Sequence, residues 1–122
     1  MKNFFKSKKI TITGSKGFIA SHVIDLLREY KIKKLKLLNS KNVNYNNVQD
    51  IVKKIKGYDF VIHLTSATGG IKYTKDNITY QFYNSLIKDL NVFIFLIRFI
   101  NHCCIHNNNI GICIYVKVLF SI

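Results

Sequence analysis

The first apolar positions of the chain follow a period of two. Ile10 and Ile12 alternate with Thr11 and Thr13 within Lys8 to Thr13, and β-branched residues in alternation suit a pleated strand. Gly14 and Gly17 interrupt the pattern. Apolar residues return at helical spacing through Ile19, Val23, Leu26, Leu27 and Tyr30, which predicts an amphipathic helix from Gly17 to about Tyr30. Leu35 to Leu38 reads as a second strand ending in Asn39-Ser40-Lys41, and Val43 and Tyr45 suggest a short third. Val48, Ile51, Val52 and Ile55 share one helical face, closed by Gly57. Asp59 to Thr65 is almost continuously apolar, as in a strand buried on both faces.

Thr68-Gly69-Gly70 then forms a loop, and a long helix is predicted from Asn77. It places Ile78, Phe82, Leu86, Leu90, Phe93, Ile94 and Ile97 on one face. A polar stretch, Asn101 to Asn109, separates this helix from the apolar run Ile110 to Ile122, which reads as a buried strand. Strands alternating with helices imply crossover connections and an α/β fold with a doubly wound parallel sheet.

The passage from first strand to first helix carries the most specific chemistry. Its spacing is Gly-x-x-Gly-x-x-Ala, with Ala20 where a third glycine is usual. Small residues there let backbone approach a phosphate, and the N–H groups of the helix start supply partial positive charge. A plain strand-to-helix connection has much the same spacing, so the motif gains weight only from its surroundings.

Those surroundings carry a resemblance. Thr13 to His22 resembles the cofactor turn of the extended short-chain dehydrogenase/reductases, a group of nucleotide-sugar epimerases, dehydratases and reductases. Phe18-Ile19-Ala20-Ser21-His22 is especially similar to the GDP-mannose 3,5-epimerases. Tyr58 to Leu64 followed by Gly69-Gly70-Ile71 resembles both those enzymes and the GDP-L-fucose synthases. The likeness covers about residues 8 to 93. It implies a Rossmann-like cofactor-binding half and a nicotinamide dinucleotide held by Gly14, Ser15, Lys16, Gly17, Phe18, Ile19, Asn39, Ser40, Lys41, Leu64, Thr65 and Ser66. By the same likeness Gly69 and Gly70 lie on the substrate side, toward a nucleotide sugar.

The end of the second strand separates NAD from NADP. An acid there bonds the ribose 2′-OH, whereas a cation accommodates a 2′-phosphate. Asn39-Ser40-Lys41 offers no acid, and Lys16 adds a second cation, so NADP is the expected cofactor and NAD the alternative. In the long helix Ser85 stands where the resembled family has Asn, which puts the local hydrogen bonding in question.

Catalysis in the resembled family needs a Tyr-x-x-x-Lys pair for proton transfer. Tyr30 and Lys34 alone have that spacing; they close the first helix, far from where the pair belongs, and no catalytic residue is assigned. The expected organisation is a dinucleotide-binding domain over 1–100 and an atypical apolar tail over 101–122. This is a truncated cofactor-binding half of a nucleotide-sugar epimerase/reductase or, alternatively, a non-catalytic binding or interaction module.

Composition changes this picture little. The 122 residues include 19 Lys and Arg against 6 Asp and Glu, a formal charge of +13. Such a balance can mark nucleic-acid binding, but the lysines are spread along the chain in short clusters flanking apolar elements, as on a solvated surface. No nucleic-acid partner is expected. Val92 to Ile100 and Ile110 to Phe120 each fall short of the roughly 20 residues of a membrane span, so no membrane partner is expected; a homodimer would form through the long helix. Three cysteines make no disulfide framework, and no signal-like segment opens the chain, which points to the cytoplasm. His102, Cys103, Cys104, His106 and Cys113 lack paired zinc-ligand spacing, so no metal is expected. His63, in an apolar strand, reads as a core histidine.

Overall fold

A computed structural model describes residues 5–67, 71–106 and 115–117 of the chain. Four strands form one sheet: β1 (Lys9–Thr13), β2 (Lys34–Leu38), β3 (Phe60–His63) and β4 (Tyr115–Lys117). Their order is β2-β1-β3-β4 and every neighbouring pair is parallel. Thr13 stands opposite Leu38 on one side and His63 on the other. The fold is therefore α/β, Rossmann-like, with an open sheet.

Helix α1 (Phe18–Glu29) joins β1 to β2, and α2 (Val48–Ile55) precedes β3. A short α3 (Ile71–Asp76) and the long α4 (Ile78–His106) follow. The chain steps from β1 to β2 in one direction and to β3 in the other. A fixed crossover hand then sends the intervening helices to opposite faces. Ile10, Ile12 and Phe60 pack with Ala20, Ile24 and Leu27 of α1. On the other face Leu38 and Val61 pack with Ile51 and Ile55 of α2 and with Val92, Phe95 and Leu96 of α4.

Three local outcomes differ from the sequence reading. The buried stripe of α1 is Ala20, Ile24 and Leu27, while Leu26 is exposed. Ala20 is the residue pressed fully against the strands, and its closeness sets the helix phase. Val43 and Tyr45 form no strand; both are buried beneath a chain of turns. Asn39, Asn42, Asn44 and Asn47 organise these turns by side-chain bonds to nearby backbone, the local competition with strand pairing expected of asparagine. Finally, α4 turns Ile78, Phe82, Leu86, Leu90, Phe93 and Ile94 away from the sheet, 39% to 69% exposed. Its sheet side is formed by Asp89, Val92, Phe95 and Leu96.

α4 runs through residues 100 and 101 as far as His106, and Tyr115–Lys117 pairs within the same sheet. Among the described residues, no helix is long and apolar enough to cross a membrane.

Candidate functional site

The carboxyl ends of β1, β2 and β3 surround a cavity of about 810 Å³. It lies where the chain order reverses around β1, the position at which open α/β sheets receive ligands. Gly14, Lys16 and Gly17 line it from the glycine turn, Asn39, Ser40 and Lys41 from the end of β2, and Leu64, Thr65 and Ser66 from the end of β3. Nine residues expected at a cofactor thus share one wall. Ser15, Phe18 and Ile19 do not line it. The Ser15 amide bonds Leu38 O at 3.0 Å, and the Phe18 ring is 80% exposed, set edge-on to His22. Gly69 and Gly70 lie outside the described residues, as do the side chains of the Cys/His cluster near the C-terminus. Among the described residues, no group of His, Cys, Asp or Glu is placed to hold a metal.

The two glycines of the turn are required for different reasons. Gly14 has φ +69, and a Cβ there would sit 2.6 Å from the Leu64 carbonyl oxygen and 2.8 Å from the Thr65 nitrogen. The β3 backbone alone therefore demands glycine at 14. Gly17 has ordinary extended backbone, and its Cβ would meet only Gly14 O at 3.3 Å. Gly17 lines the cavity at the start of α1, which carries no side-chain cap and no acidic residue in its first turn.

Sequence reading missed the rest of the lining: Asn42, Val43, Asn44, Tyr45, Asn46, Asp50 and Lys54, with Lys88 from α4. Four lysines (16, 41, 54 and 88) stand against one acid, Asp50. That acid is engaged, accepting the Asn44 amide at 2.7 Å. A cavity ringed by cations and an uncapped helix start fits an anionic ligand bearing phosphates.

Within this lining is a buried polar group. Tyr45 Oη accepts the Gly14 N–H at 3.2 Å, and its own carbonyl accepts from Asn91 Nδ2 at 2.9 Å. Burial raises the Tyr45 phenol above its ordinary pKa, outweighing the Thr65 hydroxyl, the Gly14 amide and the Thr13 hydroxyl, which pull it down. His63 Nδ1 lies 2.6 Å from Thr13 Oγ1, and its Nε2 lies 3.0 Å from Asp89 Oδ1. His63 is a core histidine, as its apolar strand suggested. Ser85 Oγ accepts the Ala67 N–H at 3.0 Å, while Asn84 Nδ2 turns back to Tyr80 O. Serine therefore anchors the segment after β3 without a register shift in the helix.

The sequence model of the NAD dependent epimerase/dehydratase family matches residues 10–99. The chain belongs to this family. Solved structures agree on the fold of this NAD dependent epimerase/dehydratase relative. DdhaC superposes with a TM-score of 0.66 at 21% identity, over 83% of this chain and 28% of its own. A GDP-L-fucose synthetase from Naegleria fowleri bound to NADP gives 0.56 at 19%, over 77% of this chain and 28% of its own. Pen from Bacillus thuringiensis gives 0.57 at 15%, over 75% and 35%. At these identities the likeness is one of fold. The chain spans about a third or less of each of these proteins. A search of curated proteins found no match.

Proposed function

We propose that this chain is the cofactor-binding half of a nucleotide-sugar epimerase/reductase and that its cavity takes NADP(H). The observation that carries the reading is the lining of the cavity, which brings Gly17, an uncapped helix start and four lysines together. When bound, the cofactor supplies hydride chemistry. The first turn of α1 would hold its pyrophosphate, with Lys16 beside it. Ser40 and Lys41, at a β2 end without a free acid, would take the 2′-phosphate. Asn39 shapes that corner, its Oδ1 accepting the Lys41 amide and its Nδ2 reaching Ser15 Oγ at 3.5 Å. Leu64 to Ser66 would border the path toward the nicotinamide, and Gly69 and Gly70 the sugar.

Fluorescence titration tests this. NADPH should bind more tightly than NADH, and Gly17→Val, compatible with its extended backbone, should abolish binding while the far-UV spectrum stays that of the wild type. Wild-type protein that binds neither nucleotide overturns the reading. Salt-sensitive retention on nucleic acid in place of nucleotide binding would point instead to the less favoured role for the charge.

One observation favours a second reading, a non-catalytic dinucleotide-binding module. Tyr30 and Lys34 lie at the end of the sheet away from the cavity: Tyr30 stacks on Phe5 with centroids 6.1 Å apart, and Lys34 Nζ sits 5.7 Å from the Tyr58 ring centroid. They cannot serve a ligand in the cavity. NADPH binding without turnover of GDP-4-keto-6-deoxymannose supports the module; turnover supports the enzyme.

The partner belonging to this reading is a second copy, in a cytoplasmic setting. Every exposed position of α4 from Ile78 to Ile94 is uncharged, a stripe about 24 Å long at 1.5 Å per residue. In a chain of charge +13, that stripe is where two like-charged copies can meet without bringing cations together. Sedimentation should show a dimer that Leu86→Lys with Leu90→Lys converts to monomer.

A further inference from the structure

Two hydrogen-bonded routes connect α4 to the glycine turn through the sheet. One leaves Asp89, passes through the His63 ring and ends on Thr13. The other leaves Asn91, crosses Tyr45 from its carbonyl to its hydroxyl and ends on the amide of Gly14. Both begin within one turn of the same helix and finish on consecutive residues.

The direction of the first route follows from what each group can do. A carboxylate only accepts, so the His63 Nε2–H faces Asp89, and a ring carrying that one proton leaves Nδ1 to accept from the Thr13 hydroxyl. Tyr45 accepts from Gly14 N–H. The Thr13 hydroxyl and both His63 ring nitrogens are thereby bonded, in a region where Thr13 and His63 are almost wholly buried. Burying this many polar groups is tolerable only when they bond one another. A purely mechanical support for the turn needs none of them: on the opposite face of the same strand, Ile10 and Ile12 are held by apolar packing alone.

We infer that Tyr45, Thr13 and His63 are positioning residues for the nucleotide, holding the glycine turn at a fixed setting against α4 so that the start of α1 faces the phosphates. The inference rests on the nucleotide-binding reading of the cavity. None of the three is expected to contribute charge or hydride chemistry. Their effect passes through the backbone of Thr13 and Gly14, whose conformation governs the turn leading to α1.

The test compares NADPH affinity with thermal stability, titrations being run well below each variant's melting point. Thr13→Val keeps the shape and removes the hydroxyl. It should weaken NADPH binding at least about fivefold, the worth of one net hydrogen bond, and Thr13→Ser should restore affinity to within about twofold. Tyr45→Phe should weaken binding by a similar factor. Because Asn91 and Tyr45 act in series, adding Asn91→Ala to Tyr45→Phe should cost little more than the worse single change. Variants that melt earlier yet bind NADPH within about twofold of wild type overturn the inference and leave the network a purely structural one. Should any variant fail to fold, the wild type decides: saturation with NADPH must shift the His63 ring-nitrogen NMR signals, and unmoved signals overturn the inference. Wild-type protein that does not bind NADPH overturns the reading of the cavity itself, a separate result from bound nucleotide that ignores these side chains.

Discussion

The two faces of the sheet are built from the same strands and solve different problems. Toward α1 the buried cluster of Ile10, Ile12, Ala20, Ile24, Leu27 and Phe60 is wholly apolar. Toward α2 and α4, Leu38, Val43, Ile51, Ile55, Val61 and Val92 share the interior with Thr11, Thr13, His63, Asp89 and Tyr45. The first face gains its stability from burial of apolar surface and constrains nothing beyond packing. The second keeps polar groups inside: Thr13, His63, Asp89 and Tyr45 are hydrogen-bonded, while the Thr11 hydroxyl is buried without a hydrogen-bond partner among the described residues. Where a fold buries polarity that a simpler core would avoid, the reason is best sought in the site above it.

The seam between the faces should be the most fragile point. Gly14→Ala would force a side chain into a left-handed backbone, with its Cβ 2.6 Å from the carbonyl oxygen of Leu64. The strand end must move, and a loss of more than about 3 kcal/mol is expected. Gly17→Ala should change stability by less than about 1 kcal/mol, since its Cβ meets one oxygen at 3.3 Å. Urea unfolding followed by far-UV circular dichroism measures both, the chain having no Trp. Equal costs at the two positions would remove the distinction between a glycine the protein needs and one that leaves room for a ligand.

The apolar face comes next. Ile12 is fully buried, and Ile12→Ala should cost about 3 kcal/mol in the same experiment, through lost transfer energy and the cavity left behind. Because that cluster contains no polar group, NADPH affinity in the folded variant should stay near the wild-type value. A large loss of affinity at unchanged fold would show that both faces govern the turn.

These contrasts also explain which parts of the molecule could be read from the sequence. The β1–α1 passage was legible because its signals are local: alternating Ile and Thr, then two glycines, then a helical period. The nine expected residues that line the cavity were reached through the glycine turn, the strand ends and the family resemblance they carry. Tyr45 was not legible, because its place is fixed by a bond to Gly14 across 31 residues of sequence, and no local pattern marks it. The facing of α4 was hidden for a different reason. Its exposed stripe is apolar and its buried stripe contains Asp89, so hydrophobic periodicity alone groups the outward residues together. The α1 phase went astray for want of weighting Ala20, whose small size brings the helix close to the strands.

A smaller effect is expected at the far wall. Asn47 caps α2, its Oδ1 accepting the amides of Gln49 at 2.9 Å and Asp50 at 3.3 Å. Asn47→Ala should cost about 1 kcal/mol in urea unfolding. It loosens the turn that carries Asn44 and Asp50 to the cavity, so it also tests whether that turn is as rigidly tied as the glycine turn. A cost near zero would mean that the turn is held by its other asparagines.

The smallest effect, and the one that isolates a single buried group, is alkaline. The Tyr45 phenol is shifted up from 10.0 in the folded chain, chiefly by burial. Above that value the unfolded chain begins to release the phenolic proton while the folded chain retains it. Folded protein then binds more protons than unfolded, and stability must fall as pH rises. The contribution is complete below pH 10 and is lost as pH climbs from 10.0 toward the raised folded value. Lysines titrate in the same range, so the wild-type curve alone does not identify the group. The difference between wild type and Tyr45→Phe does: unfolding free energies measured from pH 9 to 11.5 should show the two stabilities converging as pH rises. A constant gap across that range would mean that Tyr45 titrates alike in the folded and unfolded chains, and the polar face would then be wetter than its burial implies.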